Sequence, residues 1–392
     1  MKIDKSNPLH WLYLAAFTVN AALVLVARWF RRGGRDAVIL YGHKLNGNLK
    51  AILAHAATVA GGPRLFFLTM DPVYYRALKK AGHPVLLGLN PLHMFRLAGA
   101  YALVSDHGLH ALILLLKFSD LKFVDVWHGI PFKGFDRDDF RVQQRYDEVW
   151  VASELLRKLY IGRFGFRPEV VKVTGYARTD GLVDGGVGRG RVLEKLGIAD
   201  PGMKIVLFAP TWQQDDANRS IFPFGVEEDA FLARLNAFCL EHGAVCVLRK
   251  HLNTRSGSEK VWERVLHRPY EDYPDAEEIL LVSDCLICDW SSIAFDYLLL
   301  DRPTLFLDVP PPFRKGLSLD ASYRFGQVVG DMDTMFSTLG HCLGDPEAYR
   351  RQHGATYRRV RQQIYGDMAD GQAAERCYIR LLNLAQGCPA RE

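Results

Sequence analysis

Residues 283–307 read SDCLICDWSSIAFDYLLLDRPTLFL. A short apolar run, Cys285–Cys288, is followed at once by the polar turn Asp289-Trp290-Ser291-Ser292. An amphipathic helical stretch comes next, then Asp301-Arg302-Pro303 and a second apolar run at Thr304–Leu307. Strand, helix and strand in this order make one βαβ unit, whose two strands are parallel. Ser291 or Ser292 suits the N-cap of the helix. The free N–H groups and positive dipole end there would form an anion site. Cys285 and Cys288 read as strand core, because no second cysteine pair with zinc spacing follows, and no metal is expected.

Working outward, the same alternation fills most of the chain. Apolar runs at 37–42 (AVILYG), 64–70, 83–89, 100–106, 122–129, 148–154 and 169–176 are separated by helix-like stretches. A Gly-rich segment, Asp184–Gly190 (DGGVGRG), interrupts the series. A second series follows: 204–212 (KIVLFAPTW), 243–251 (GAVCVLRKH), 278–284 (EILLVSD), 284–292 and 303–309. Near-continuous apolar strands between amphipathic helices indicate parallel sheets covered on both faces. The expected class is α/β, with two Rossmann-like domains facing each other across a cleft and an apolar helix before them. The expected boundaries are 1–35 for that helix and its basic flank, 36–185 for the first domain and 186–203 for a linker. The second domain then covers 204–340, and carboxyl-terminal helices cover 341–392.

The bulk numbers exclude several classes. The chain has 392 residues, 49% hydrophobic and 24% charged, which fits neither a disordered nor a fibrous protein. The net charge of +5 is too small to indicate a nucleic-acid partner. Seven cysteines, all after residue 238, form no disulfide framework and suit a reducing compartment. Leu9–Ala27 is an uncharged run of 19 residues followed by Arg28, Arg31, Arg32 and Arg35. Its length just reaches that of a bilayer span. Either it attaches to a membrane, spanning or interfacial, with the following domain cytoplasmic, or it is an apolar helix docked on the protein itself or a partner.

In open parallel sheets ligands bind beyond the carboxyl ends of the strands, so polar residues directly after apolar runs are the candidates. His128, in KFVDVWHGIPFKGFD (122–136), follows such a run with Lys133 in the same loop. It is placed either as a general base for a hydroxyl nucleophile or as a structural cap of the strand end. In VTGYARTDGL (173–182), Arg178 either clamps an anion or pairs with Asp180. Thr211 and Trp212 sit where turn N–H groups commonly meet phosphate, or make ordinary turn contacts after Pro210. Arg249 and His251, two residues apart, either face a diphosphate together or belong to an exposed basic triplet.

In order, these pieces resemble the CDP-glycerol glycerophosphotransferase family, which builds the poly(glycerol phosphate) and poly(ribitol phosphate) chains of teichoic acids and related polymers. The resemblance runs from about Tyr41 to Asp308. It rests on Trp127-His128-Gly129-Ile130-Pro131 with Lys133, Gly175-Tyr176-Ala177-Arg178 with Asp180, and Ala209-Pro210-Thr211-Trp212. Arg249-Lys250-His251 follows, then Asp289-Trp290-Ser291-Ser292 with Phe295-Asp296 and Asp301-Arg302-Pro303. The segment Gly42–Asn48, with His43, is similar to the family's first loop. The resemblance implies a GT-B fold, attachment to the cytoplasmic face of the cell membrane, and no cofactor. It implies a CDP-glycerol or other CDP-alditol donor and a lipid-linked saccharide or polyol-phosphate acceptor. It implies attack on the β-phosphorus with release of CMP, in teichoic-acid-like or capsular polymer synthesis. In this reading His128 is the base, and Arg249, His251, Asp289, Ser291 and Ser292 lie at the donor phosphates with Thr211 and Trp212. The family's Tyr-rich stretch after the donor turn is replaced by FLDVPPPFRKGLSLDASYRFGQVV (306–329). Two other functions use the same features: a GT-B glycosyltransferase with a nucleotide-sugar donor, and a non-catalytic membrane-associated binding module.

Overall fold

Apolar runs without polar alternation form strands that are buried on both faces, and most of the thirteen strands among the described residues are of this kind. A computed structural model describes residues 3–30, 35–211, 222–249 and 260–386. Two units emerge, one made of 1–128, 137–180 and 372–392, the other of 129–136 and 181–371.

The first unit holds a parallel sheet of β1 (Ala37–Tyr41), β2 (Arg64–Thr69), β3 (Val85–Leu87), β4 (Ala100–Ser105), β5 (Lys122–Asp125), β6 (Glu148–Val151) and β7 (Val171–Val173). Their order is β3-β2-β1-β4-β5-β6-β7. Strand order reverses between β1 and β4, the switch point at which α/β sheets bind ligands. Ala37, Ile39 and Tyr41 face one apolar cluster, which includes Phe17, Ala21 and Val24 of helix α1 (Pro8–Phe30). Val38 and Leu40 face the other, with Leu49, Ile52 and Leu53 of helix α2 (Gly47–Thr58) and Cys377 and Leu381 of the helix Ala373–Gln386.

The second unit repeats the plan with β8 (Lys204–Phe208), β9 (Ala244–Leu248), β10 (Val265–His267), β11 (Cys285–Cys288), β12 (Thr304–Leu307) and β13 (Gln327–Val329). The order is β10-β9-β8-β11-β12-β13, all parallel, with the switch point between β8 and β11.

Several details depart from the sequence expectation. The run EILLVSD is a helix, Ala276–Val282, not a strand. An apolar run of that length suits either element, and β11 begins only three residues later. The short β10 and β13 carry no long apolar run. The interval expected as a linker contains the helix Arg189–Leu196, with Val192, Leu193 and Leu196 buried. The carboxyl-terminal helices divide: Met332–Gly344 and Pro346–Tyr365 stay with the second unit, and Ala373–Gln386 returns to the first.

Residues 129–136 belong to the second unit. Phe132 packs on Trp290 and Phe295, with ring centroids 5.4 and 5.1 Å apart. Gly134 N–H donates to the Gly316 carbonyl at 2.7 Å, and Lys133 pairs antiparallel with Leu317. A Cβ at Gly134 would lie 2.2 Å from the Lys315 carbonyl oxygen, so only glycine permits this approach.

Candidate active site

At the switch point of the first unit, β1, β4 and β5 end level with one another. Tyr41 pairs with Ser105, and Ser105 with Asp125. The chain then continues as Gly42-His43, Asp106-His107 and Val126-Trp127-His128. Trp127 holds φ at +25°, a conformation that costs a non-glycine residue about 1–3 kcal/mol and that clusters at functional sites. Asn48, buried near the start of α2, stabilises the turn. Its Nδ2 donates to the carbonyls of Val126 (2.8 Å) and Trp127 (2.9 Å), and its Oδ1 accepts from the Arg178 N–H (3.1 Å). The Arg178 guanidinium donates to the carbonyl of His128. One side chain thus ties together three of the segments read as candidates.

His128 sits with Nδ1 3.1 Å from the carbonyl oxygen of Asp106. A carbonyl only accepts, so Nδ1 carries the proton and Nε2 is left as the acceptor nitrogen. Desolvation by the surrounding protein, then the neighbouring His107, lower the His128 pKa below its ordinary value. His128 is itself exposed to solvent, which limits that effect. A neutral imidazole with a free Nε2 can take a proton from a hydroxyl. His43 lies on the far side of His107, ring centroids 4.2 Å apart, and burial followed by His107 pushes its pKa down to about 2.

Asp180 has a different position. Its two carboxylate oxygens accept the N–H groups of Ala373 (3.0 Å) and Ala374 (2.7 Å), capping the last helix. Lys133 lies in the 129–136 segment of the second unit, its ammonium 5.4 Å from the Phe135 ring.

In the second unit the switch point holds Thr211 after β8 and Asp289 after β11. Buried Asp289 accepts both the N–H (2.8 Å) and the hydroxyl (2.6 Å) of Thr211 through Oδ1. Trp290 donates to the Val309 carbonyl at 2.7 Å, and the Arg324 guanidinium stacks 4.4 Å over its ring. The turn then enters a helix of only five residues, Ile293–Tyr297. Ser292 takes its N-cap position with helical dihedrals, and its hydroxyl makes no capping bond. A capping side chain needs extended backbone to reach the next N–H groups, so neither serine acts as the cap anticipated from the sequence. Arg249 follows β9 with its guanidinium donating to the carbonyls of Tyr273 (2.7 Å) and Pro274 (3.4 Å). Trp212 and His251 lie outside the described residues.

The sequence assigned no role to Asn48 and Trp127, though both lie in quoted motifs, and it did not single out Asp106, His107 or Asp125. A signal for some of them was present: Asp106-His107 directly follows an apolar strand, the rule that singled out His128.

Comparison with known proteins agrees with this architecture. Residues 29–383 match the model of the CDP-Glycerol:Poly(glycerophosphate) glycerophosphotransferase family. A teichoic acid ribitol-phosphate polymerase, TarK, of Staphylococcus aureus (strain NCTC 8325 / PS 47) is 31% identical over 53% of this chain and 42% of its own. A teichoic acid glycerol-phosphate transferase of the same strain is 25% identical over 67% of this chain and 71% of its own. The structure of the wall teichoic acid polymerase TagF superposes with a TM-score of 0.72 at 18% identity, covering 95% of this chain and 94% of that one. That likeness concerns the fold, a GT-B-like pair of parallel-sheet units. The chain spans about two fifths of the length of the first curated relatives it matches. With the family model matched across nearly the whole chain, from residue 29 to residue 383, the chain belongs to the CDP-glycerol:poly(glycerophosphate) glycerophosphotransferase family.

Proposed function

We propose that this protein transfers an alditol phosphate, such as glycerol phosphate, from a CDP-alditol to a hydroxyl of a lipid-linked saccharide or polyol-phosphate acceptor. The reaction belongs to the synthesis of a teichoic-acid-like or capsular polymer. The observation that carries the reading is His128, fixed at the end of β5 with Nδ1 on the Asp106 carbonyl and Nε2 left to accept. In the step, Nε2 takes the acceptor hydroxyl proton while that oxygen bonds to the β-phosphorus. The bond from this phosphorus to the bridging oxygen breaks, and CMP leaves with the electron pair. Phosphoryl transfer depends chiefly on positioning and charge stabilisation. The Thr211–Asp289 turn and Arg249 surround the donor phosphates in this reading, with Ser291, Ser292, Trp212 and His251 as further contacts. In this reading Arg178 and His43 of the first unit serve the acceptor, and Arg178 also holds the His128 loop; Lys133 is a further contact from the second unit, and Asp180 serves the fold as a cap.

The acceptor carries a lipid, and α1 supports work at the cytoplasmic membrane surface. Phe17, Ala21, Val24 and Arg28 pack on the first unit, Arg28 donating to the carbonyls of Leu97 (3.0 Å) and Ala100 (2.8 Å) and pairing with Asp120. Asn20 donates to the Gly88 carbonyl at 2.9 Å. A second stripe, Leu12, Val19, Leu23, Val26 and Phe30, is exposed, with Trp29 and, on a neighbouring helix, Leu92. A helix held this way on the protein lies along the lipid interface instead of crossing it.

The test is CMP release and product mass, with purified protein, a lipid-linked acceptor and a panel of CDP donors. CMP release with a product heavier by one or more alditol phosphates is expected. Release of a nucleoside diphosphate from a nucleotide sugar, with no CMP from any CDP-alditol, would overturn the reading.

A further inference from the structure

The proposed transfer leaves one conspicuous group unused. His107 stands between His43 and His128, its ring stacked on His128 at 4.7 Å with only 11° between the planes. Its Nδ1 is 2.7 Å from Asp106 Oδ1, and the Asp106 carboxyl is buried. The same residue, Asp106, holds His128 through its backbone carbonyl. A single turn after β4 therefore grips two imidazoles, one by its carboxylate and one by its main chain. Among the described residues no group of His, Cys, Asp and Glu is arranged to hold a metal ion.

We propose that His107 is a positioning residue for the reaction: clamped by Asp106, it buttresses the face of His128 and sets a positive charge against it. The proposal rests on the reading of His128 as the base. The charged and titratable groups around it come from four places. Asp106 is on its own turn, His43 follows β1, Asp125 and His128 belong to β5 and its loop, and His110 follows on the next turn. Arg178 faces His128 from the turn after β7. Burial opposes a charge on His107, but the Asp106 carboxylate outweighs it and raises the His107 pKa above its ordinary value. A like charge stacked on His128 disfavours a second one. The base thereby stays neutral, with Nε2 open, at pH values where a free imidazole would be protonated.

Without the His107 charge, the His128 pKa rises toward its ordinary value while desolvation still holds it below, so the fraction of neutral base begins to fall at a higher pH than in the wild type. Loss of packing alone would slow the reaction equally at every pH.

The experiment compares wild type, His107→Gln and His107→Lys in CMP release from pH 5 to 9. Ring carbons of isotopically labelled histidine are followed by NMR in the full chain, His128 being assigned with His128→Asn. His107→Gln should lie within about threefold of wild type at pH 8 and fall progressively further behind as the pH is lowered, each unit of rise in the His128 midpoint moving the onset of the loss up by one pH unit. His107→Lys should recover part of the low-pH loss. The His128 midpoint should move up by at least about one unit in the glutamine variant; His107→Asn takes its place if glutamine does not fold. A rate ratio constant with pH, or a His128 midpoint that does not move, overturns the proposal. If His128→Asn itself turns over normally, the reading of the base fails, while the NMR midpoint still decides whether His107 acts on His128.

Discussion

A methyl group on residue 42 would lie 2.4 Å from Asp106 Oδ1 and 2.8 Å from Leu49 Cδ1. Gly42 is therefore needed because the buried carboxylate lies directly over its Cα. Gly42→Ala should cost about 1–3 kcal/mol as overpacking, measured by urea unfolding. It should also slow CMP release at least about tenfold at pH 8, because a displaced Asp106 no longer orients either histidine; unchanged turnover would refute that coupling. The residue scale also marks how far the sequence could be read. His128 and Thr211 were legible because each directly follows an apolar run. Asp289 was legible as the first residue of a polar turn. Asn48 was not legible as a tie, because a helix-start asparagine carries no mark of the three segments it joins across more than a hundred residues. The role of Asp180 was also hidden, since the N–H groups it caps lie 193 and 194 residues away.

At the scale of elements, α1 shows how one helix can serve two surfaces. Its buried positions 17, 21, 24 and 28 and its exposed apolar positions 12, 19, 23, 26 and 30 both advance by three, four or seven residues, so they form two stripes of one helix. The sequence showed only an uncharged run, because lipid and protein core select the same residue types. Arg28 and Asn20 separate the two environments, since each has hydrogen-bond partners on the first unit. Leu23→Glu combined with Val26→Glu should therefore leave the melting temperature almost unchanged. At about 1.5–3 kcal/mol per apolar side chain withdrawn, the pair should weaken binding to anionic vesicles at least about a hundredfold, read by flotation. Vesicle binding that survives both charges would remove α1 from the membrane-facing surface. The strands were the most legible elements, since seven apolar runs correspond to the first sheet. EILLVSD was misread because a buried helix and a buried strand share its composition, and only the place already taken by β11 separates them.

At the scale of the molecule, the chain changes unit after 128, 136, 180 and 371, so neither unit is one continuous stretch. Sequence periodicity is local and cannot register such returns, which is why the last helix was expected as part of a separate terminal group. Its attachment is built from two kinds of contact. Cys377 and Leu381 complete the apolar layer over Val38 and Leu40, and Arg380 pairs with Glu148, whose carboxylate also accepts the Trp150 indole N–H at 2.7 Å. Glu148 is buried, so its charge depends on a partner supplied from 232 residues further along the chain. Leu381 is fully buried, and truncating such a leucine to alanine costs about 2–5 kcal/mol. If the helix belongs to the first unit, Leu381→Ala should accelerate amide hydrogen exchange in β1, β4 and α2 while β8, β9 and β11 keep their wild-type protection. Faster exchange in the second sheet with an unaltered first would show that the helix stabilises the other unit. Equal acceleration in both would show that the two units unfold as one, so that a loss at the last helix is felt at the Thr211–Asp289 turn as strongly as at His128.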